Sequence, residues 1–139
     1  MSDERVGLFK QIMGSYPTGV TIVTTVGANG EPVGLTVNSF TSVSLEPLLV
    51  LWCVDKRFSA LDAFLSSDKF AVHILAEDQG DACWAFAGKA PDRFAKVEWR
   101  FSNQHLPVIS GSLGVFECKK THQIEAGDHF VLIGEVVDI

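Results

Sequence analysis

The stretch from Gly34 to Cys53 constrains the fold most, because two apolar runs there enclose a series of short polar side chains. The runs Pro32–Val37 and Leu48–Cys53 are rich in Val and Leu, which favours β-strands. The polar side chains between them belong to Asn38, Ser39, Thr41, Ser42 and Ser44. Burying such groups unpaired is costly, so either backbone groups or a polar ligand must satisfy them. Both alternatives stay open on composition, since Ser and Thr also serve ordinary turns.

Size and charge limit the classes of function. The chain has 139 residues with 47% hydrophobic content, including ten Phe and three Trp, which predicts a single domain over residues 1–139 with a sizeable core. Its formal charge of -6 opposes binding to nucleic acid or an anionic membrane, and no block of Lys and Arg offsets that charge locally. No window reaches the roughly 18 apolar residues of a transmembrane helix. We therefore expect a cytoplasmic protein.

The three cysteines are more typical of core thiols than of a disulfide framework. Cys53, Cys83 and Cys118 are an odd number, lie far apart and have apolar neighbours, which predicts that they stay reduced. The sequence also has no Cys-x-x-Cys or His-x-x-x-His pair, so we expect no metal site.

The N-terminal third predicts a helix followed by a β-hairpin. Apolar residues at helical spacing indicate a short amphipathic helix over Arg5–Ser15, which Pro17 stops. The β-branched run Gly19–Thr25 favours a strand, and Asn29-Gly30 favours a tight turn into the partner strand Pro32–Val37. Leu48–Cys53, apolar on both faces, predicts a central strand covered on both sides.

A helix is predicted directly after this central strand. Ser59 is a candidate N-cap, with Asp62 at the third helical position. The free N–H groups of this helix start, together with Lys56 and Arg57 just upstream, could receive a phosphate. A self-satisfied capping turn is the alternative.

The next segment contains a strand, a helix and a connector. Lys69–Leu75 is predicted to be a strand, in which His73 is interpreted as a structural core residue rather than a base. Asp78–Phe86 predicts a helix that Gly88 ends. After it, Ala90–Phe94 resembles a helical turn that offers Lys89 and Arg93 as exposed cations beside Phe86 and Phe94, and it could be a nucleotide contact or a solvated connector.

The C-terminal third is dominated by strands. We expect Trp99–Pro107 to be irregular, Gly111–Gly114 to be a loop, Val115–His122 to be a long strand, and His129–Asp138 to complete a hairpin after the turn at Ala126–Asp128. Strands outnumber helices, tight turns join most of them, and no βαβ alternation is present. These features predict a closed antiparallel barrel with a few covering helices.

Several segments, taken in order, match a known family. They are GVTIVTT, TVNSFTSVSLEPLLVLWC, FAVHIL followed by Gln79 and Phe86-Ala87, and Gly127-Asp128-His129-Phe130 followed by Gly134. From about Phe9 to its end the chain resembles the flavin reductase-like family. More narrowly, it is similar to the small reductase components of two-component flavin-dependent monooxygenases. Family members usually continue through a further strand beyond the position of Ile139, so we expect that C-terminal strand to be absent here.

The resemblance implies a fold, a cofactor and partners. The fold would be mainly β, an antiparallel split β-barrel of the Greek-key type with a few short flanking helices, and two copies would form a homodimer. The protein would bind FMN or FAD and use NADH or NADPH to reduce it, then supply the reduced flavin to a separate oxygenase.

The resemblance also implies roles for particular residues. Thr36, Val37, Asn38 and Ser39 would lie along the isoalloxazine ring and ribityl chain, and Cys53, Val54 and Asp55 would approach the pyrimidine edge mainly through backbone groups. Ser59 and Lys56 would take the phosphate, with Arg93 and Phe94 as weaker candidates near the tail. His129 would face the nicotinamide. Because hydride passes directly between the two rings, no nucleophile or general-base triad is needed, and the sequence shows none.

Other interpretations remain at this point. Without the family, His129 is best interpreted as a residue that hydrogen-bonds across its turn. A flavin-binding electron carrier or storage module would keep its cofactor tightly bound and meet a protein partner instead of NADH. An FMN enzyme of the pyridoxamine-phosphate oxidase type would want a basic cluster for its substrate phosphate, and the few Arg residues speak against it.

Overall fold

The computed structural model describes residues 3–88 and 93–139. In chain order its elements are α1 (Asp3–Gly14), β1 (Thr21–Val26), β2 (Pro32–Val37), β3 (Thr41–Leu45), β4 (Leu48–Asp55), α2 (Leu61–Ser66), β5 (Lys69–Ile74), α3 (Gly80–Ala87), a 3₁₀ turn (Arg93–Lys96), β6 (Trp99–Phe101), β7 (Pro107–Ile109), β8 (Gly114–Ala126) and β9 (His129–Asp138). None of the helices in these residues is both long enough and apolar enough to cross a membrane.

Seven strands form one antiparallel sheet in the order β2-β1-β5-β8-β9-β4-β3, and β6 and β7 form a separate pair. The strand order is not sequential, since β1 and β4 each lie between a chain neighbour and a distant strand. The predicted fold class, mainly β with an antiparallel sheet and a few short helices, is confirmed.

The sheet curls around one core. Val33 and Val37 of β2 belong to the same buried cluster as Val50 and Trp52 of β4, although strand pairing does not join β2 to β4. Beside this seam, where the β3–β4 pairing would continue past Thr41 and Leu51, the Ser39 hydroxyl accepts the Cys53 N–H at 2.8 Å and donates to the Cys53 carbonyl at 3.3 Å. We call this contact the Ser39 bridge.

Several predicted elements have the predicted bounds because local chemistry determines them. Pro32–Val37 and His129–Asp138 are strands as expected, and Gly30 adopts the positive φ of 78° that the Asn29-Gly30 turn requires. Helix α3 ends at Gly88.

Other predictions about elements were wrong. Thr41–Leu45 is not a polar link but a strand, which pairs with β4 at the edge of the sheet and leaves its side chains largely exposed. Strand β4 was predicted to be covered on both sides, but it is buried on one face only. Its alternate residues are half-buried or exposed. The Trp99–Pro107 segment is not irregular, since β6 pairs with β7 across it.

Helix α1 departs most from an ordinary amphipathic helix. It forms where the apolar spacing predicts it, yet none of its residues is buried. Leu8, Phe9, Ile12 and Met13 have exposed fractions between 49% and 67%. The apolar side of α1 therefore contributes little to the core of this chain.

Candidate functional site

A groove of about 870 Å³ lies between α1 and the open side of the sheet, and we call it the α1 groove. The C-terminal half of α1 and the segment after it form one wall, and the β2–β3 connection, β4 and the start of β9 form the other. Its lining residues are Phe9, Lys10, Met13, Gly14, Tyr16, Pro17, Thr18, Gly19, Asn38, Ser39, Phe40, Thr41, Cys53 and His129. Four of the residues assigned to the site from sequence therefore meet here: Asn38, Ser39, Cys53 and His129.

Asn38 and Ser39 answer the question of what satisfies the polar stretch. Ser39 is satisfied by the protein backbone through the Ser39 bridge. Asn38 is exposed, and its amide makes no hydrogen bond within residues 3–88 and 93–139. The backbone alternative therefore holds for Ser39, and the Asn38 amide is left open to solvent or to a ligand.

Thr36 and Val37 lie outside the α1 groove. The Thr36 hydroxyl donates to the Cys83 carbonyl at 2.7 Å and so joins β2 to α3, while Val37 is only 8% exposed and packs in the core. Alternation along a strand sends these two side chains to opposite faces of the sheet. Neither residue lines the α1 groove, and their position along the isoalloxazine ring and ribityl chain stays a prediction.

The end of β4 offers the groove little beyond Cys53. The thiol of Cys53 lines the groove, and burial raises its pKa, against a smaller opposite effect of the Ser39 hydrogen bond. Val54 is fully buried, so only its backbone is available. The Asp55 carboxylate accepts the Arg57 guanidinium at 2.8 Å, and this hydrogen bond holds the pKa of Asp55 well below its usual range.

His129 is placed in the groove by strand pairing, because it is the partner of Asp55 in the β4–β9 register. Its Nδ1 lies 2.8 Å from Asp128 Oδ1, and the His129 side chain is 40% exposed. This contact with His129 lowers the pKa of Asp128. With Nδ1–H directed at a carboxylate, Nε2 is the ring atom left to meet a ligand.

Ser59 is not the predicted N-cap. Ala60 precedes α2, and no side chain caps this helix start. Two successive backbone turns, in which Phe58 N–H donates to Asp55 O and Leu61 N–H donates to Phe58 O, carry the chain past Ser59 before the helix begins. Ser59 instead lines a second groove of about 530 Å³ that also contains Glu31, Asp62 and Asp68. These carboxylates oppose a phosphate there.

Lys56 and Arg93 are already engaged by the protein. Lys56 Nζ pairs with Glu125 and lies 5.5 Å from the centroid of the Phe130 ring. Arg93 donates to the carbonyls of Gly34, Phe86 and Gly88. These contacts give Arg93 a structural role that its position in the sequence did not reveal.

Phe94 belongs to the same structural region as Arg93. Its ring centroid lies 4.8 Å from that of Phe86 and 5.2 Å from that of Trp99, which are packing contacts typical of a core. The predicted cation Lys89 and the Ala90–Asp92 part of the predicted helical turn lie outside the described residues.

Comparisons with known proteins identify the family. A family model described as "Flavin reductase like domain" matches residues 13–139. The chain belongs to this flavin reductase-like family. The reductase component of flavin-dependent trigonelline monooxygenase from Acinetobacter baylyi is 43% identical over 127 residues, covering 91% of this chain and 41% of that protein.

Two further family members match along more of their length. The FMN reductase (NADH) SmoA of Agrobacterium fabrum is 42% identical over 129 residues, covering 93% of this chain and 73% of SmoA. The crystallised NADH:FAD oxidoreductase SgcE6 of Streptomyces globisporus, in complex with NAD and FAD fragments, has a TM-score of 0.90 at 37% identity and covers 99% of this chain and 83% of that chain. The chain spans 41% of the length of the first two curated relatives it matches.

Within this flavin reductase-like domain, the wall that sequence reasoning missed is α1. Lys10, Met13 and Tyr16 line the groove, yet the sequence predicted only a short amphipathic helix there. The sequence does contain a signal for this wall, which is the apolar stripe along α1. The core of the sheet does not need this stripe, because no residue of α1 is buried.

His73, by contrast, is structural as predicted. It is fully buried, its Nδ1 lies 2.9 Å from the Ile22 carbonyl, and its Nε2 accepts the Ile109 N–H at 3.1 Å. Because Nε2 accepts, the proton of the neutral ring must be on Nδ1. Burial lowers the pKa of His73 to about 4, so the ring stays neutral at pH 7.

Proposed function

We propose that this chain is an NAD(P)H:flavin oxidoreductase that reduces FMN or FAD with NADH or NADPH. The observation that carries the proposal is the α1 groove, in which Asn38, Cys53 and His129 come together from three separate parts of the chain. The family supports it, since SmoA is an FMN reductase (NADH) and SgcE6 is an NADH:FAD oxidoreductase.

The residues of the groove fit a flavin. Phe9, Met13, Tyr16 and Phe40 supply apolar and aromatic surface for a flat ring, and Asn38 supplies an open amide for its polar edge. A flavin bound there accepts a hydride from NAD(P)H. The protein's task is then to hold two rings in contact and to exclude water.

Each wall residue has a part in that task. The Ser39 bridge holds the Cys53 backbone at the floor of the groove. Asp128 holds the His129 ring through Nδ1. In the neutral ring Nε2 accepts a hydrogen bond, which suits the amide N–H of a nicotinamide carboxamide, and His129 exchanges no proton in the reaction.

The activity is tested by mixing the purified chain with NADH or NADPH and with FMN or FAD, and following the nicotinamide absorbance. We expect NAD(P)H oxidation that depends on added flavin. Absence of flavin-dependent oxidation with both nicotinamide nucleotides would overturn the proposal. If flavin also stays on the protein through a desalting column, the electron-carrier interpretation is favoured instead.

We further propose that reduced flavin passes to a separate oxygenase. The support is that a relative 43% identical to this chain is the reductase component of a flavin-dependent monooxygenase. Adding such an oxygenase to the assay should couple NAD(P)H oxidation to substrate oxygenation, and catalase should not abolish the product if transfer of reduced flavin carries the coupling.

We also propose that two copies form a homodimer. The β3–β4 edge exposes Leu45 at 85% and Leu48 at 42%, and α1 also exposes Leu8 and Ile12, which do not line the α1 groove. A second copy covering these surfaces would remove a large apolar area from water. Light scattering should give twice the chain mass of 15.1 kDa, and a single-chain mass would overturn this assembly.

A further inference from the structure

A phosphorylated ligand needs a cation in the α1 groove, and the predicted candidates are committed elsewhere. Lys56 pairs with Glu125, Arg57 pairs with Asp55, and Arg93 donates to three backbone carbonyls. Ser59 lies in a groove with three carboxylates and Lys69, whose ammonium group donates to the Gln104 carbonyl. Because the chain carries a net charge of -6, a bound nucleotide also has to overcome a general repulsion.

Lys10 is available for this purpose. It is the one Lys or Arg side chain among the described residues that line the α1 groove. Met13 and Gly14, three and four positions further along α1, line the same groove, as expected for one face of a helix. Lys10 is exposed, and within the described parts of the chain its ammonium group has no hydrogen bond or ion pair.

Lys10 also has no evident role in folding. No residue of α1 is buried, so the charge at this position does not support the core. A cation that contacts no protein group and faces a cavity with open polar side chains is free to bind an anion. On the opposite wall, the Asn38 side chain supplies a neutral amide, which cannot replace this charge.

We propose that Lys10 binds the phosphate group of the nucleotide in the α1 groove, and this inference rests on the proposed flavin reductase function. The phosphate has two possible sources, the FMN or FAD tail and the pyrophosphate of NAD(P)H. Both present the same anionic oxygens to an ammonium group. Lys10 is then a ligand-binding residue that fixes the position of the nucleotide relative to Asn38 and His129.

The test separates the charge of Lys10 from its shape. Lys10→Met keeps the aliphatic stem and removes the charge, and Lys10→Arg restores the charge. Lys119→Met is the matched control, because Lys119 is also exposed, makes no polar contact in the part of the chain that the structure describes, and lines a different cleft. Fluorescence titrations at low ionic strength measure the binding of FMN, FAD and riboflavin, which has the same ring system without a phosphate, and steady-state kinetics give KM for NADH.

If Lys10 holds the flavin phosphate, Lys10→Met should weaken FMN binding about fivefold and leave riboflavin binding unchanged. If it holds the nicotinamide nucleotide, KM for NADH should rise about fivefold while FMN binding stays the same. In either case Lys10→Arg and Lys119→Met should resemble the unmodified chain, and added salt should reduce the difference.

Three results would overturn the assignment. They are equal losses for FMN and riboflavin, an equal effect of Lys119→Met, or no change in any of these binding and kinetic constants. A failure of the proposed function can be told apart from these results. If FMN binding depended on Lys10 but the protein had no reductase activity, the phosphate contact would stand and the reductase function would be wrong.

Discussion

Two regions of the molecule treat polar side chains in opposite ways. In the core around β1 and β5, His73 has a backbone partner on each ring nitrogen, and the Thr24 hydroxyl donates to the Pro107 carbonyl at 2.7 Å. In the α1 groove, Asn38 and Lys10 have no polar partner among the residues that the structure describes. Polar side chains that support the fold therefore have hydrogen-bond partners within the protein, whereas those available to a ligand have none in the described part of the chain. The residue type alone does not distinguish the two groups.

The two histidines show this difference most directly. His73 is fully buried, and both of its ring nitrogens are used by the fold. His129 is held through Nδ1 alone and keeps Nε2 open. Burial without a partner is a separate case: Trp52 Nε1 and Glu117 Oε1 are buried without a hydrogen bond in the described residues, and neither lines the α1 groove.

The largest expected effect is the loss of the His73 contacts. His73→Leu leaves the Ile22 carbonyl and the Ile109 N–H buried and unpaired, which should lower the free energy of unfolding by about 2–4 kcal/mol. Urea unfolding followed by circular dichroism measures it. A loss below that of an ordinary surface substitution would show that the pairing in the core does not stabilise the fold.

Acid should weaken the same region. The pKa of His73 is lowered to about 4 in the fold by burial, whereas in the unfolded chain it is about 6.5, so between these values the unfolded state binds a proton that the native state does not. The free energy of unfolding should therefore fall with decreasing pH in this window, by on the order of 1 kcal/mol per pH unit. Urea unfolding at pH 7, 6 and 5 tests this, and the dependence should largely disappear in His73→Leu.

The Arg93→Met variant tests whether Arg93, which the sequence placed near the ligand, instead stabilises the fold. Arg93→Met removes donors to the carbonyls of Gly34, Phe86 and Gly88, so the free energy of unfolding should fall by about 1–2 kcal/mol. FMN affinity should stay unchanged. If Arg93→Met lost FMN affinity while its free energy of unfolding stayed unchanged, Arg93 would be a cofactor-binding residue and not a structural one.

His129, in contrast to Arg93, should affect ligand binding and not the stability of the fold. His129→Ala should leave the melting temperature close to that of the unmodified chain and raise KM for NAD(P)H about fivefold, since one hydrogen bond to the nucleotide is lost. His129→Gln keeps a polar group near the same place and should recover part of the effect. Unaltered nicotinamide kinetics in His129→Ala would remove this residue from the site.

Ser59 should show the smallest effect. Because its side chain does not cap α2 and lies beside carboxylates, Ser59→Ala should change the free energy of unfolding by less than about 0.5 kcal/mol and leave FMN affinity unchanged. Parallel urea and FMN titrations check both quantities. A clear loss of FMN affinity would show that the phosphate lies at this helix start after all.

The sequence was sufficient where local chemistry determines the structure. The alternating β-branched residues and the Asn29-Gly30 turn determine β1 and β2, and the bounds of β2 and β9 agree with the predicted ones. The gathering of Asn38, Ser39, Cys53 and His129 also followed from the family resemblance and agrees with the α1 groove.

The rest depended on contacts between distant parts of the chain. Ser59 is a residue type typical of an N-cap, but the backbone turns after Asp55 shift the start of α2 by one residue, so that Ala60 takes this position. Arg93 looks free in sequence because its acceptors are backbone carbonyls, one of them 59 positions away. Strand β3 was missed because an edge strand exposed to solvent needs no apolar pattern.

The Ser39 bridge has a mechanical consequence. Elsewhere around the sheet, neighbouring strands separate only if a whole ladder of backbone hydrogen bonds breaks, but β2 and β4 share no ladder, and at this seam the Ser39 hydroxyl holds the connection after β2 to β4. Local opening should therefore begin at this seam, and amide hydrogen exchange should be faster at Cys53 than at the ladder-bonded amides of β5. The most compliant line in the curled sheet thus runs along the floor of the α1 groove, where the proposed flavin would enter and leave.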